Sequence, residues 1–192
     1  QNKMKINSKD YDVDNIIESI QVMTDPWGLA LAPRKVTVST AGHLDGINAL
    51  NNSNTNVSLA FSLHSPSPQR RSQLMPINKK YPLEKVIEGL KSYAQKNQRK
   101  IFIQYTLIDS INDSKSDAQS LVEVLKDLPS KVNLIPYNTI PGSRFGPPPI
   151  ENIKQFQSTL LQRGLRATVR FSKGWDIDAA CGQLANKNDL VF

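Results

Sequence analysis

The sequence predicts an α/β fold built on a mostly parallel sheet. Two observations carry that reading. Short β-branched runs alternate with longer stretches whose apolar residues recur at helical spacing. Strands and helices that alternate in this way assemble as βαβ units. The strand runs are also apolar almost throughout, as expected when both faces of a sheet are covered. In such sheets ligands sit at the loops after the strand C-termini. Chemistry is therefore expected at those ends.

Each element has its own signal. Residues 1–12, QNKMKINSKDYD, are polar and read as a tail or loop. Val13, Ile16, Ile17, Ile20 and Met23 share one helical face over 13–23, and Pro26 and Gly28 break the pattern. KVTVST (35–40) is a first strand and VSLAFSLH (57–64) a second. From Pro82 to Asn97, Leu83, Val86, Ile87, Leu90 and Tyr93 form an apolar helical face, with Pro82 suited to a first turn. KIFIQYTLI (100–108) is a third strand. Asn112-Asp113-Ser114 offers an N-cap for a helix carrying Ala118, Leu121, Val122, Leu125 and Leu128. KVNLIPYN (131–138) is a fourth strand. GPPP (146–149) leads into a helix with Ile150, Ile153, Phe156, Leu160 and Leu161, which Gly164 ends. RATVRFS (166–172) is the last strand. There is no repeat and no low-complexity linker.

Bulk composition narrows the partners. A length of 192 residues suits one domain, with or without a tail. Lys+Arg 24 against Asp+Glu 17 gives a net charge of +7. A basic globular chain favours polyanions, nucleic acid ahead of anionic membrane. The single cysteine, Cys181, excludes an internal disulfide and any all-cysteine metal site within the chain, and it suits a reducing compartment such as the cytoplasm. No apolar run approaches the roughly 18 residues of a membrane span. None reads as a signal peptide. The first residue, Gln1 rather than Met, is taken as a sign of processing or of a longer parent chain.

The strand ends are unusual. The first ends in Ser39-Thr40-Ala41-Gly42, and the second in Ser62-Leu63-His64. The third ends near Asp109-Ser110-Ile111-Asn112-Asp113, and the fourth in Pro136-Tyr137-Asn138, before Pro141-Gly142-Ser143. Hydroxyls, amides and an imidazole on one rim can orient a polar ligand such as a nucleoside or an amino acid. Any one of these serines or asparagines is also an ordinary turn former or helix cap. His43, in a loop after Gly42, is given no role. No phosphate loop, HExxH, GxSxG or paired-carboxylate signature is present. Asp176 and Asp178 read as a solvated loop or helix start rather than an acid–base pair.

Five segments, taken in order, carry a resemblance. VTVSTAG (36–42), LAFSLHSP (59–66), LMPINKKYPLE (74–84), VNLIPYNTIPGS (132–143) and DIDAACGQLA (176–185) are similar to the RlmN/Cfr family of radical-SAM methyltransferases. The match covers roughly residues 13–186, and INKKY and DIDAACGQLA are its specific parts. The resemblance implies a soluble cytoplasmic enzyme that uses S-adenosylmethionine and a [4Fe–4S] cluster fed by an external electron donor. It would methylate an adenine carbon of 23S ribosomal RNA at the peptidyl-transferase centre, with transfer RNA as a second candidate substrate. The motif wording leans to C2 over C8. No membrane partner is implied.

Residue by residue, the resemblance assigns cofactor contacts to Ser39, to Ser62, Leu63 and His64, and to Asn138. Cys181 matches the cysteine that accepts a methyl group, as a thiolate can from a sulfonium, and Gly182 beside it permits unusual backbone angles. In the family, a 5′-deoxyadenosyl radical from a second cofactor molecule then takes hydrogen from the methylated cysteine, and the carbon radical adds to the base. Arg70, Arg71, Lys79, Lys80, Arg99, Lys100, Arg163, Arg166, Arg170 and Lys173 are candidates for RNA phosphate contact on the rim.

Departures matter as much. The family's CxxxCxxC cluster motif, its GEP-type cofactor motif and its second, N-terminal cysteine are absent. Gln104 stands where the family often has Glu, so no charge contact is expected there. The chain thus resembles the C-terminal half of the enzyme. That half would supply the last four strands of a partial (β/α)6 barrel and the methyl-carrying tail, and no cluster ligands. The expected organisation is a polar tail at 1–12, the barrel part at 13–174 and a catalytic tail at 175–192. As such a piece it is expected to be inactive alone. The alternative is a non-catalytic short protein of the same descent that binds RNA or S-adenosylmethionine. Retention of Cys181 with its surroundings argues against that alternative.

Overall fold

In the computed structural model, residues 3–6, 13–139 and 142–171 are described. Six strands run β1 (Lys3–Ile6), β2 (Thr37–Thr40), β3 (Ser58–Ser62), β4 (Ile101–Leu107), β5 (Ser130–Pro136) and β6 (Ala167–Val169). They form one sheet in sequential order, and every neighbouring pair is parallel. Right-handed crossovers between strands that always step the same way stack their helices on one face of the sheet. That is the geometry of an opened barrel, not of a doubly wound sheet.

The helices are α1 (Val13–Thr24), α2 (Leu44–Asn52), α3 (Pro68–Leu74), α4 (Leu83–Asn97), α5 (Lys115–Leu125) and α6 (Ile150–Gln162). α1, α4, α5 and α6 stand where the apolar spacing puts them. Ser114 caps α5 through a reciprocal box with Asp117. Gly164 follows α6 at φ +78°, a left-handed stop suited to glycine. α2 and α3 were not legible, and neither was β1. Residues 3–6, expected within a polar tail, pair as an edge strand with β2. The sheet therefore holds six strands, where the resemblance implies four.

One expectation about the sheet is corrected. Only β3 is buried on both faces, over Ser58–Phe61; β2, β4 and β5 are not. Along β4, Ile101, Ile103, Tyr105 and Leu107 are buried, while Phe102, Gln104 and Thr106 are only half-buried. β2 and β5 alternate in the same way. The helix-covered face holds the core, with Val38, Phe61, Ile103, Leu134, Leu90, Leu121 and Phe156 at its centre. The other face is mixed: Ser39, Ser62, Gln104 and Asn133 share it with Ala60, Phe102 and Ile135.

Candidate functional site

This mixed face presents a row of polar side chains fixed by strand register. Ser62, Gln104, Asn133 and Thr168 are successive lateral partners across β3, β4, β5 and β6. Directly paired residues of parallel strands project to the same face. Thr168 Oγ1 donates to Asn133 Oδ1 at 2.7 Å, so that end of the row is satisfied internally. The hydroxyls of Ser39 and Ser62 and the amide of Gln104 have no hydrogen-bond partner among the described residues, and each is half-buried. Such groups are available to a polar ligand.

At the C-terminal rim the chain after β3 turns sharply. His64 takes a left-handed backbone, φ +57°. Its Nδ1 accepts the Thr106 backbone N–H at 3.0 Å. That bond requires Nδ1 to be unprotonated, so the proton of the neutral ring resides on Nε2. Burial, and then the nearby charge of Arg71, push the imidazole down to about 4. At neutral pH His64 is thus an uncharged donor through Nε2. Leu63 differs from expectation. Its side chain is fully buried in the core, its N–H bonds Gln104 O, and its carbonyl accepts from Arg71. It does not line the rim with its side chain. Instead it anchors the turn between Ser62 and His64.

Two residues that build this rim were not foreseen in that role. Asn112 is fully buried. Its Nδ2 donates to His64 O and to Thr106 O, both at 2.7 Å, and its Oδ1 accepts the Ile108 N–H at 2.7 Å. One amide thus joins the ends of β3 and β4. Arg71, expected to face RNA, is also fully buried. Its guanidinium donates to Ala41 O, Ser62 O and Leu63 O and stacks on Phe61. It cannot reach a phosphate. His43, given no role, caps α2 by accepting the Gly46 N–H at Nδ1. Its Nε2 meets the Tyr81 hydroxyl, which donates to Asp45.

Beyond β5 lies an apolar hollow of about 630 Å³. Tyr137, Asn138, Pro147, Pro148, Ile150 and Phe171 are among its walls. Ile150 and Phe171 are exposed there, at 55% and 60%. Asn138 therefore lies in the wall of a mainly apolar hollow that follows the C-terminal end of β5.

The basic candidates separate into two ends. Lys79 and Lys80 are exposed beside Tyr81, next to the loop leaving β2, and Lys80 Nζ lies over the Tyr81 ring at 4.9 Å. Arg170 is exposed and follows β6. Arg70 pairs with Asp117 at the start of α5. These four are on the rim. Arg99 and Lys100 immediately precede β4, and Arg163 and Arg166 precede β6. That puts them at the opposite end of the strands, a correction to their expected place on the rim. Lys173, Asp176, Asp178, Cys181 and Gly182 lie outside the described residues.

A four-iron cluster does not fit this chain's residues. Cys181 is its sole thiol. No group of three or more His, Cys, Asp or Glu side chains able to hold a metal occurs among the described residues. Nor, among those residues, is any helix long and apolar enough to cross a membrane.

Comparison with known proteins agrees with this geometry. No family model matches the chain. The dual-specificity RNA methyltransferase RlmN of Halorhodospira halophila is 43% identical over 175 residues, which is 91% of this chain and 48% of that protein. RlmN of Nautilia profundicola is 41% identical over 174 residues, 91% of this chain and 49% of its own. A crystal structure of a radical SAM methyltransferase from Sphaerobacter thermophilus superposes with a TM-score of 0.84 at 39% identity, over 88% of this chain and 50% of that one. The chain thus spans about half the length of the curated relatives it matches.

Proposed function

On the footing that this chain is a relative of the RlmN methyltransferases over about half their length, we propose that it forms the cofactor-binding and methyl-accepting part of a radical-SAM RNA methyltransferase. One observation carries the reading. The family-matched residues Ser39, Ser62 and His64 converge on the mixed face and its rim, with unengaged hydroxyls and a neutral imidazole. These fit S-adenosylmethionine. Ser39, Ser62 and Gln104 would hold its polar methionine and ribose groups, and His64 Nε2–H would donate to an acceptor. The apolar hollow beside Asn138 suits its adenine ring.

When bound, S-adenosylmethionine supplies an activated methyl group. Cys181 is the proposed acceptor: its thiolate bonds the methyl carbon, the bond to the sulfonium breaks, and S-adenosylhomocysteine leaves as a neutral thioether. The proposed target is C2 of an adenine in 23S ribosomal RNA, with transfer RNA as a second substrate. Phosphates would meet Lys79, Lys80 and Arg170 on the rim.

Calorimetric titration with S-adenosylmethionine tests the cofactor reading. Saturable binding is expected, weakened about tenfold in S62A and in N138A, the loss of one good hydrogen bond each. Absence of binding, or parent-like binding by both variants, would overturn it. Peptide mass spectrometry on protein recovered from cells tests the acceptor. One added methyl on the peptide holding Cys181 is expected, and its absence from the full-length enzyme would refute that role.

A further inference from the structure

We propose that Arg71 is the positioning residue of this site: its guanidinium locks the outgoing ends of β2 and β3 together, and so presents Ser62 and His64 to the ligand. The inference rests on the cofactor reading above, and it is tested separately from it.

Keeping a guanidinium inside the core carries a cost. Arg71 is fully buried, and among the described residues it forms no ion pair. Burial lowers its pKa only to about 10, so the charge persists at neutral pH. A buried, unpaired charge is expensive unless its donors are fully used. Arg71 meets most of that need with main-chain oxygens and one thioether sulfur, leaving only its Nε without a partner among the described residues. Nη2 donates to Ala41 O at 2.6 Å, and Nη1 to Leu63 O at 2.7 Å and Ser62 O at 3.0 Å, with Met75 Sδ at 3.1 Å. A methionine would fill much of the same space without the charge. What the guanidinium adds is a rigid planar fork that reaches two strands at once.

The surroundings are shaped for that fork. The guanidinium lies 4.9 Å from the centre of the Phe61 ring. Gly42 sits at φ +109°, where a Cβ would stand 3.0 Å from Nη2 and 3.2 Å from Phe61. A side chain there would displace the clamp. The clamped carbonyls belong to the residues immediately before His64 and to the turn after Ser39. Geometry at the rim therefore depends on a residue that touches no ligand. Its charge also opposes a proton on His64.

The experiment compares the parent chain with R71K and R71M. It reads S-adenosylmethionine affinity by calorimetry and the His64 ring titration by NMR. Both variants should bind at least about tenfold more weakly, since a single ammonium cannot bridge the three carbonyls. His64 should titrate higher in R71M, which lacks the charge, and close to the parent in R71K, which keeps it. A generic loss of packing would not split the two variants in this way. Parent-like affinity in R71M, or an unmoved His64 titration there, would overturn the proposal. If R71M does not fold, parent-like affinity in R71K overturns it. A parent chain that fails to bind S-adenosylmethionine refutes the cofactor reading instead, and the His64 titration then still decides what Arg71 does.

Discussion

His64 and Thr106 are joined across β3 and β4 by a hydrogen bond from the Thr106 backbone N–H to the His64 Nδ1, at 3.0 Å. The ring therefore extends the sheet by one rung where β3 has already ended. Protonation at Nδ1 would break that rung.

Stability should accordingly depend on pH through this one ring. Its ordinary value of 6.5 is lowered to about 4 by burial first and by Arg71 second. Between those values the unfolded chain binds more protons than the folded one. Stability contributed by the neutral ring is complete above pH 6.5, declines as pH falls, and levels off below about 4. The total is on the order of 3 kcal/mol. H64N should flatten this slope, because the Asn Oδ1 can replace Nδ1 as acceptor and asparagine tolerates the left-handed backbone. H64A should instead lose about 1–3 kcal/mol at neutral pH by stranding the Thr106 N–H. Urea unfolding from pH 4 to 8 checks both.

Asn112 should prove costlier than its polarity suggests. Its amide makes three bonds of 2.7 Å in a fully buried position. N112A should lose about 3–5 kcal/mol, since the carbonyls of His64 and Thr106 and the N–H of Ile108 all lose their partner. N112D keeps the acceptor for Ile108 but points a carboxylate oxygen at two carbonyls. It should be no more stable than N112A. Denaturant midpoints at constant slope would show this, and an N112D as stable as the parent would refute it.

What was legible in the sequence follows a physical rule. α4 and β4 were plain because burial of Leu83, Val86, Ile87, Leu90 or of Ile101, Ile103, Tyr105 imposes a period on apolar residues. α3 was hidden because its buried position is Arg71, a charge that periodicity scores as surface. α2 carries Gly46 and several asparagines and reads as a loop, although His43 caps it. β1 is held by main-chain pairing, which polar residues serve as well as apolar ones. At the site, Ser39, Ser62 and His64 could be found as strand ends. Asn112 and Arg71 could not be assigned their work, because their partners are main-chain oxygens and N–H groups brought near only by folding. The placing of Arg99 and Lys100 was recoverable: residues that precede a parallel strand lie at the end away from the ligand loops.

That two-ended distribution of charge yields a final prediction. If RNA approaches the rim, the lysines there should carry its salt dependence and those at the far end should not. The logarithm of affinity falls linearly with the logarithm of salt, by about 0.7–0.9 per phosphate neutralised. The double variant K79A/K80A, at exposed positions beside Tyr81, should weaken binding and reduce the slope by up to about two contacts' worth. R99A/K100A, before β4, should leave the slope unchanged. Filter binding of an adenine-containing ribosomal RNA hairpin across a salt series reads both. A slope reduced by R99A/K100A and untouched by K79A/K80A would place the RNA at the other end of the strands, away from Ser62 and His64, and would separate RNA binding from the proposed chemistry.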